Sequence, residues 1–439
     1  MNQTGQVLAQ DKKLGLWALI ALVTGNIVGS GAFLLPAELA RIGSVSLIAL
    51  LVTSVGALAL ALVFVRMNEL LPQSGGPYVY VKPAFGDYMA FQTVYFYWIG
   101  GWIGNAAIVV AALGYLSAIF PLLNQTVPKV AAMMLLVWLP ILINVAGMRF
   151  FTLFECVIAV LKFLPLFLIA ICGWRYFNLG NLTSSFNVTG NSNWQAFSLA
   201  ITVTLWLFIG VESATVPSDK TANPKRNIPR ATIYGTLIAA VVYLLSNAAI
   251  MGMFPLAELA NMSSPFATAA KIILGDLGTG LVVLGAVISC FGALLGWSLV
   301  AAEVPCAAAL HDGYFPRFFA YKNRAGIPVT SLIITATLTM GLLLASTTLD
   351  LIEQFGLLIL VATAAEVLAY FYTSLAEIIL NPGSRRSKMT LLGAVLAALY
   401  SGYALIGAGF KVLVALLLAN LLTLPLYAIF KRVKCREGL

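Results

Sequence analysis

A short glycine-containing stretch, Gly25–Gly31, interrupts the first long apolar segment of the chain. Its three glycines, with an Asn and a Ser, are poorly suited to continuous helix, whereas the flanking residues form good helix halves. In a bilayer the backbone can leave the helix only where it faces protein or a wet cavity. The second helix half would begin at Ser30–Ala32, where free N–H groups and the helix dipole suit a carboxylate. The stretch therefore indicates either an anion-binding site or a glycine-packed kink that a neighbouring helix approaches.

A second interruption, Ile209–Ser213, lies within a later apolar segment and contains Gly210 and Glu212. Five predicted spans run from the first interruption to just before the second. That spacing is typical of a 5+5 inverted repeat in which helices 1 and 6 are broken at mid-membrane and frame a substrate site. The two matched interruptions together favour a transporter.

Four ionisable residues fall well inside predicted spans: Lys162, Glu212, Glu303 and Glu366. Such residues are costly in a membrane and are functional candidates by default. Glu212, at the second interruption, is expected to be a proton-sensitive group, with a cap on the unwound turn as the alternative. Lys162 either replaces a coupling sodium ion or forms a static ion pair with Glu303 or Glu366. Glu303 is expected to act in a gate or in structure, and Glu366 either faces the same cavity or is structurally paired.

Two tryptophans, Trp206 and Trp297, are placed away from either membrane interface. At such depth an indole can stack on an ammonium or guanidinium group, which is worth about 2 kcal/mol or more when desolvated. Ordinary packing is the alternative for each of them.

The composition is that of an integral membrane protein, with 61% hydrophobic and 9% charged residues and a mean hydropathy of +0.97. Apolar runs of about 20 residues recur along the whole chain, and they predict an all-α membrane protein with 12 transmembrane helices. The first run has full spanning length and lacks a small-residue cleavage site, so we expect no cleaved signal peptide. The broken helices 1 and 6 make the predicted fold a LeuT-like 5+5 inverted repeat.

The charges indicate orientation and not nucleic-acid binding. Most of the 25 Lys and Arg residues fall on one side of the predicted spans. Positive charge concentrates on the cytoplasmic side, so both termini are expected there. We divide the chain into a cytoplasmic tail (1–13), a transporter core (14–378, with repeats at about 14–176 and 195–378), and helices 11 and 12 with a cytoplasmic C-terminus (379–439).

The residues that metal, redox and ATP chemistry require are scarce. The five cysteines are scattered, the chain has one His, and no GxxxxGK[ST] motif is present. We therefore expect no metal, no cofactor and no ATP-driven transport. The chain is not expected to be an enzyme.

A series of short motifs resembles the amino acid–polyamine–organocation transporters, and most closely their bacterial arginine/agmatine and lysine/cadaverine antiporters. The series covers nearly the whole chain, and its order is far more specific than any one motif. The motifs are Gly29–Gly31 with Phe33–Ala37, Gly75–Tyr78, Tyr97–Trp98, Trp102–Asn105, Thr204–Trp206 with Phe208–Ala214, Asn223–Pro229, Gly296–Trp297 and Asp312–Pro316.

The resemblance implies roles for individual residues. Ile27, Ser30 and the Gly31 amide would hold the substrate carboxylate. Trp206, Ile209 and Trp297 would line the side-chain pocket, and Asn105 would be a further ligand. Tyr97, Glu212 and Tyr370 would form a gate toward one side.

The chain also departs from the arginine/agmatine antiporter at several of the corresponding positions. Gly100 and Gly101 stand where that antiporter has small residues that touch the guanidinium, and Ala362 stands where it has Ser. Lys162 resembles a lysine of other branches, including proton-coupled amino acid transporters. The scaffold is therefore better determined than the substrate.

The sequence supports three functional hypotheses. The first is an inner-membrane exchanger of an arginine-like cationic amino acid for its decarboxylated amine or another amino acid. The second is a proton-coupled or facilitative amino acid permease, with Lys162 in place of a coupling ion and with neutral amino acids as candidate substrates. The third is a membrane sensor that binds without transport. The expected partners are a small amino acid or amine and the lipid bilayer, without nucleic acid, and the resemblance suggests a homodimer.

Overall fold

A computed structural model describes residues 15–29, 31–73, 75–146, 161–183, 185–212, 221–381 and 388–437 of the protein. Helices form the fold throughout these ranges. The α-helices of nine or more residues are α1 (Leu16–Ile27), α2 (Gly31–Ile42), α3 (Val45–Leu70), α4 (Pro77–Phe85), α5 (Asp87–Ile119), α6 (Thr126–Ala146), α7 (161–172), α8 (Asn193–Leu205), α9 (Pro224–Met253), α10 (Pro265–His311), α11 (Val329–Ala345), α12 (Leu351–Leu380), α13 (Lys388–Gly407) and α14 (Phe410–Glu437).

Within the described ranges, nine helices are long and apolar enough to cross a membrane, counting α1 and α2 as one interrupted span. Three further predicted spans correspond to the shorter helices α7, α8 and α11. The expectation of an all-α, multi-pass membrane protein is confirmed. The number twelve and the inverted repeat stay predictions.

Large apolar side chains cover much of the outer surface. On α14, for example, the side chains of Phe410 and Leu422 are 82% and 65% exposed. Apolar surface on this scale would be unstable in water, and it fits a protein whose outer face contacts lipid.

Both predicted interruptions are present in the backbone. Helix α1 ends at Ile27, and α2 begins at Gly31. After α8 the chain makes a tight 3₁₀ turn over Trp206–Phe208 and then becomes extended at Ile209. Gly210 follows at φ +104°, a left-handed conformation that is unfavourable for residues other than glycine.

The long helix α5 lies at the centre and packs against α12 and α10, while α1 packs against α9 and α8 packs against α3. Helix α10 is 47 residues long, but Gly275, at φ 66° and ψ −153°, interrupts its helical backbone. The interruptions at α1/α2 and after α8 face this central group of helices, and they leave a cavity between them.

Candidate functional site

A central cavity lies among the described residues, with a volume of about 370 Å³ that includes the open space at its mouth. Both chain interruptions border it, together with α5, α10 and α12. It is lined by Asn26, Ile27, Gly29, Gly31, Gly101, Gly104, Ile108, Trp206, Ile209, Ala293, Trp297 and Glu366. Of the predicted substrate-binding residues, the structure therefore brings together Ile27, Gly31, Trp206, Ile209 and Trp297.

The α1/α2 interruption forms one wall of the cavity. Ile27 and Gly31 line it, and Ser30 lies outside the described residues. The first N–H groups of a helix have no partner within that helix, so the start of α2 offers donors to an anion at this wall. The predicted carboxylate site fits this position.

Two side chains bind carbonyl groups that the end of α1 presents. The Lys162 ammonium donates to the Gly25 carbonyl at 2.7 Å, and the Tyr243 hydroxyl donates to the Ile27 carbonyl at 2.9 Å. Lys162 is 1% exposed and Tyr243 is fully buried. Because buried carbonyls are costly when left unpaired, these contacts stabilise the unwound end of α1.

Trp206 lies between two glycines on opposite walls. A Cβ on Gly31 would lie 2.6 Å from the indole Cδ1, and a Cβ on Gly104 would lie 2.9 Å from its Cη2. The indole therefore spans the cavity from α2 to α5, and both close approaches require glycine. Trp297 lies on a further wall, where its Cζ2 would be 3.3 Å from a Cβ on Gly210.

The three residues predicted to form a gate contact one another. The Tyr97 hydroxyl donates to Glu212 Oε1 at 2.6 Å, and the Tyr370 hydroxyl donates to Glu212 Oε2 at 2.8 Å. The backbone N–H of Gly210 donates to the Tyr370 hydroxyl at 3.4 Å. All of these groups are buried. The network joins α5, α12 and the chain after α8, and its function as a gate stays a prediction.

The other acidic candidates occupy different environments. Glu366 lines the cavity, is 1% exposed, and has no hydrogen-bond partner for its Oε2 among the described residues. Glu303 is 41% exposed at its side chain and pairs with Lys322 at 3.0 Å. The structure therefore places Glu303 at an accessible surface and outside the lining of the cavity.

Asn105 does not line the main cavity. It lies at a smaller neighbouring cavity with Ser298, Thr335 and Thr339, and its buried Oδ1 has no partner among the described residues. Its predicted contact with substrate stays a prediction and would require α5 or the substrate to move.

The sequence analysis noted Asn26 only as part of the first interruption, and it did not single out Ile108, Ala293 or Tyr243. Ile108 and Ala293 have no feature that separates them from ordinary membrane-helix residues. Tyr243 carried a usable signal, since a hydroxyl in the middle of a predicted span needs a buried partner. The identity of that partner depends on how α9 packs against α1.

Comparison with known proteins gives an independent assignment. The sequence profile of the amino acid permease family matches residues 14–426. The chain belongs to this family. The predicted membership of the amino acid–polyamine–organocation transporters is thereby confirmed, and this amino acid permease is a transporter and not an enzyme.

Individual relatives cover nearly the whole of this amino acid permease. The chain is 33% identical to the cadaverine/lysine antiporter of Escherichia coli over 429 residues, which is 96% of each chain. It is 34% identical to the putrescine transporter PotE of Haemophilus influenzae over 412 residues, 91% of this chain and 93% of the relative. PotE of Escherichia coli is 32% identical over 406 residues.

Proposed function

We propose that this amino acid permease exchanges a cationic amino acid for its decarboxylated amine, or for another amino acid, by alternating access. The observation that carries the proposal is the form of the central cavity. It offers helix N–H donors at Gly31 on one wall, the indoles of Trp206 and Trp297 on others, and the carboxyl group of Glu366. A molecule with a carboxylate at one end and a cation at the other matches these groups.

The proposed substrates follow from this chemistry and from the relatives. The related proteins are named for cadaverine, lysine and putrescine. These names favour aliphatic amines over arginine and agmatine, which the sequence alone put first. Lysine and its diamine product are therefore the leading pair, and arginine with agmatine is the second pair to test.

The proposed architecture has twelve spans, a LeuT-like 5+5 repeat and both termini in the cytoplasm of a bacterial inner-membrane protein. In that orientation α5 runs outward from the cytoplasm, and Tyr97 precedes its cavity-lining part. The segment that contains Glu212 and the helix α12 run inward, and Glu212 and Tyr370 follow the cavity-lining parts of these segments. All three then lie on the cytoplasmic side of the cavity. Their hydrogen bonds would hold that side closed while substrate enters from outside. A homodimer is part of the proposal only through the family resemblance.

One contact favours a second function, proton-coupled or facilitative uptake. Lys162 bonds the Gly25 carbonyl at the end of α1, where a fixed positive charge could take the place of a coupling ion. If Lys162 couples transport to protons, Lys162→Met should abolish accumulation driven by a pH gradient. It should leave counterflow exchange measurable.

The deciding experiment is uptake of labelled lysine into proteoliposomes that contain the purified protein. The vesicles are empty or preloaded with lysine, cadaverine, putrescine, arginine, agmatine or leucine, with and without an imposed pH gradient. We expect uptake only into preloaded vesicles, and the most effective preload identifies the counter-substrate. Equal uptake into empty vesicles would replace the exchanger with a permease. Saturable binding without flux in any condition would indicate a sensor.

A further inference from the structure

Glu366 differs from Glu212 in the hydrogen bonds that its carboxyl group accepts. Both oxygens of Glu212 accept hydroxyl hydrogen bonds, from Tyr97 and Tyr370. Glu366 is equally buried, yet it lines the cavity and its Oε2 has no hydrogen-bond partner among the described residues. A buried carboxylate without a partner is costly. Glu366 is thus the carboxyl group of the cavity that is available to a ligand.

A glycine on the neighbouring helix α5 leaves the space that the Glu366 side chain occupies. A Cβ on Gly100 of α5 would lie 2.3 Å from Glu366 Cγ, 3.1 Å from its Oε1 and 3.0 Å from the Ala362 carbonyl oxygen. Contacts this short leave no room for a side chain at position 100 while Glu366 keeps this position, so an added methyl group must displace the glutamate. Gly100 and Glu366 therefore form a matched pair in which the missing side chain on α5 accommodates the glutamate on α12.

Among the described residues that line the cavity, Glu366 is the one with a carboxyl group. The other lining residues are glycines, aliphatic residues, two tryptophans and Asn26. Glu212 lies near enough to repel a second negative charge on Glu366. A cation that enters beside Glu366 relieves this repulsion and gives the carboxylate its missing partner.

We propose that Glu366 binds the distal ammonium of the substrate and selects for a cationic tip. This inference rests on the proposed function and names its substrate class, which is aliphatic amino acids and diamines that end in a primary ammonium. The carboxylate of the amino acid would face the N-terminus of α2. The chain would pass the indoles, and the ammonium would form a charge-assisted hydrogen bond with Glu366.

The test compares ligands that differ only in the distal ammonium. Binding of labelled lysine to the purified full-length protein is measured directly, with norleucine, cadaverine and pentylamine as competitors. Norleucine has the lysine carbon chain without the terminal ammonium, and pentylamine is related to cadaverine in the same way. The variants are Glu366→Gln and Gly100→Ala, and the control is Glu353→Gln, which removes an exposed carboxylate from the same helix.

We expect the wild type and Glu353→Gln to prefer lysine to norleucine and cadaverine to pentylamine. Glu366→Gln should weaken the binding of lysine and cadaverine by about 10- to 150-fold, the equivalent of one hydrogen bond to a charged group. It should leave norleucine, which has no distal ammonium, unchanged, whereas pentylamine, whose single ammonium can also bind Glu366, should weaken together with cadaverine. Gly100→Ala should show the same selective loss, because its methyl group displaces the carboxylate.

An unchanged lysine-to-norleucine ratio in both variants would overturn the inference, and so would a loss for norleucine as large as that for lysine. If Glu366→Gln fails to fold, the ratio measured in Gly100→Ala and Glu366→Asp decides. Counterflow separates this outcome from failure of the proposed function. Exchange that persists in the wild type with an unchanged ratio in the variants refutes only the role of Glu366. Wild-type protein without any exchange refutes the proposed function itself.

Discussion

Removing the hydroxyl groups that bind Glu212 should open the cytoplasmic side of the cavity. Tyr97 and Tyr370 donate to the two oxygens of this buried carboxylate at 2.6 Å and 2.8 Å. A hydrogen bond to a charged group is worth about 1.5–3 kcal/mol. If the bond exists only in the closed state, its loss shifts the closed-to-open equilibrium by the same amount. Each Tyr→Phe change should therefore raise the open-to-closed ratio about 10- to 150-fold.

The opening can be measured as the reactivity of a cysteine placed at the closed side. Ala301 is 2% exposed and lies beside Gly101 on the packed face of α10. We would introduce Ala301→Cys in a cysteine-free background and follow its reaction with a membrane-impermeant maleimide applied from the cytoplasmic side. Tyr97→Phe and Tyr370→Phe should each accelerate the reaction by up to the predicted factor. Together they should accelerate it by less than the product of the two, because both act on one carboxylate.

The control for this experiment is Tyr95→Phe on the same helix. Tyr95 stacks on Phe315 with ring centroids 4.4 Å apart, and the change keeps the ring. Labelling should match that of the parent protein. Unchanged labelling in both Tyr97→Phe and Tyr370→Phe would refute the assignment of the network as a gate, and acceleration from the outer side would reverse its orientation.

Three further changes test separate parts of the molecule. Trp206→Leu should abolish uptake without loss of protein in the membrane, and normal uptake would contradict the pocket assignment. Gly210→Ala should cost about 1–3 kcal/mol, because φ +104° disfavours a side chain, whereas Gly296→Ala, with 3.6 Å to its nearest neighbour, should be tolerated in thermal unfolding. Partial burial lowers the pKa of the Lys82 ammonium. The hydrogen bond and the charge of Asp312 outweigh this effect and raise the pKa of Lys82 above its ordinary value. The contribution of this pair to stability is therefore complete below the ordinary lysine pKa and is lost as pH rises through the raised value. The thermal stability of the wild type should fall more steeply at alkaline pH than that of Lys82→Met, and parallel pH curves would contradict the pairing.

Composition and local residue pattern were sufficient to predict the class of the protein and the two places where its helices are interrupted. Apolar runs of spanning length with few charges are incompatible with a soluble fold, and the structure is helical over the described residues. Glycines beside polar residues indicated the ends of α1 and α8, because such residues destabilise a continuous helix. The motif series correctly assigned the family. It also named five residues that line the cavity, and it named Glu212 with the two tyrosines that donate to it.

The direction in which the remaining polar side chains face could not be predicted from the sequence, because it depends on how the helices pack. It put Glu366 in the cavity against Gly100, Asn105 at the neighbouring cavity, and Glu303 beside Lys322 at the surface. A soluble helix reveals its inner face by an apolar stripe. A membrane helix is apolar on the side that faces lipid as well as on the side that faces protein, so its sequence carries little information about its rotation. Packing against neighbouring helices sets that rotation, and the rotation determines which polar residue reaches the substrate.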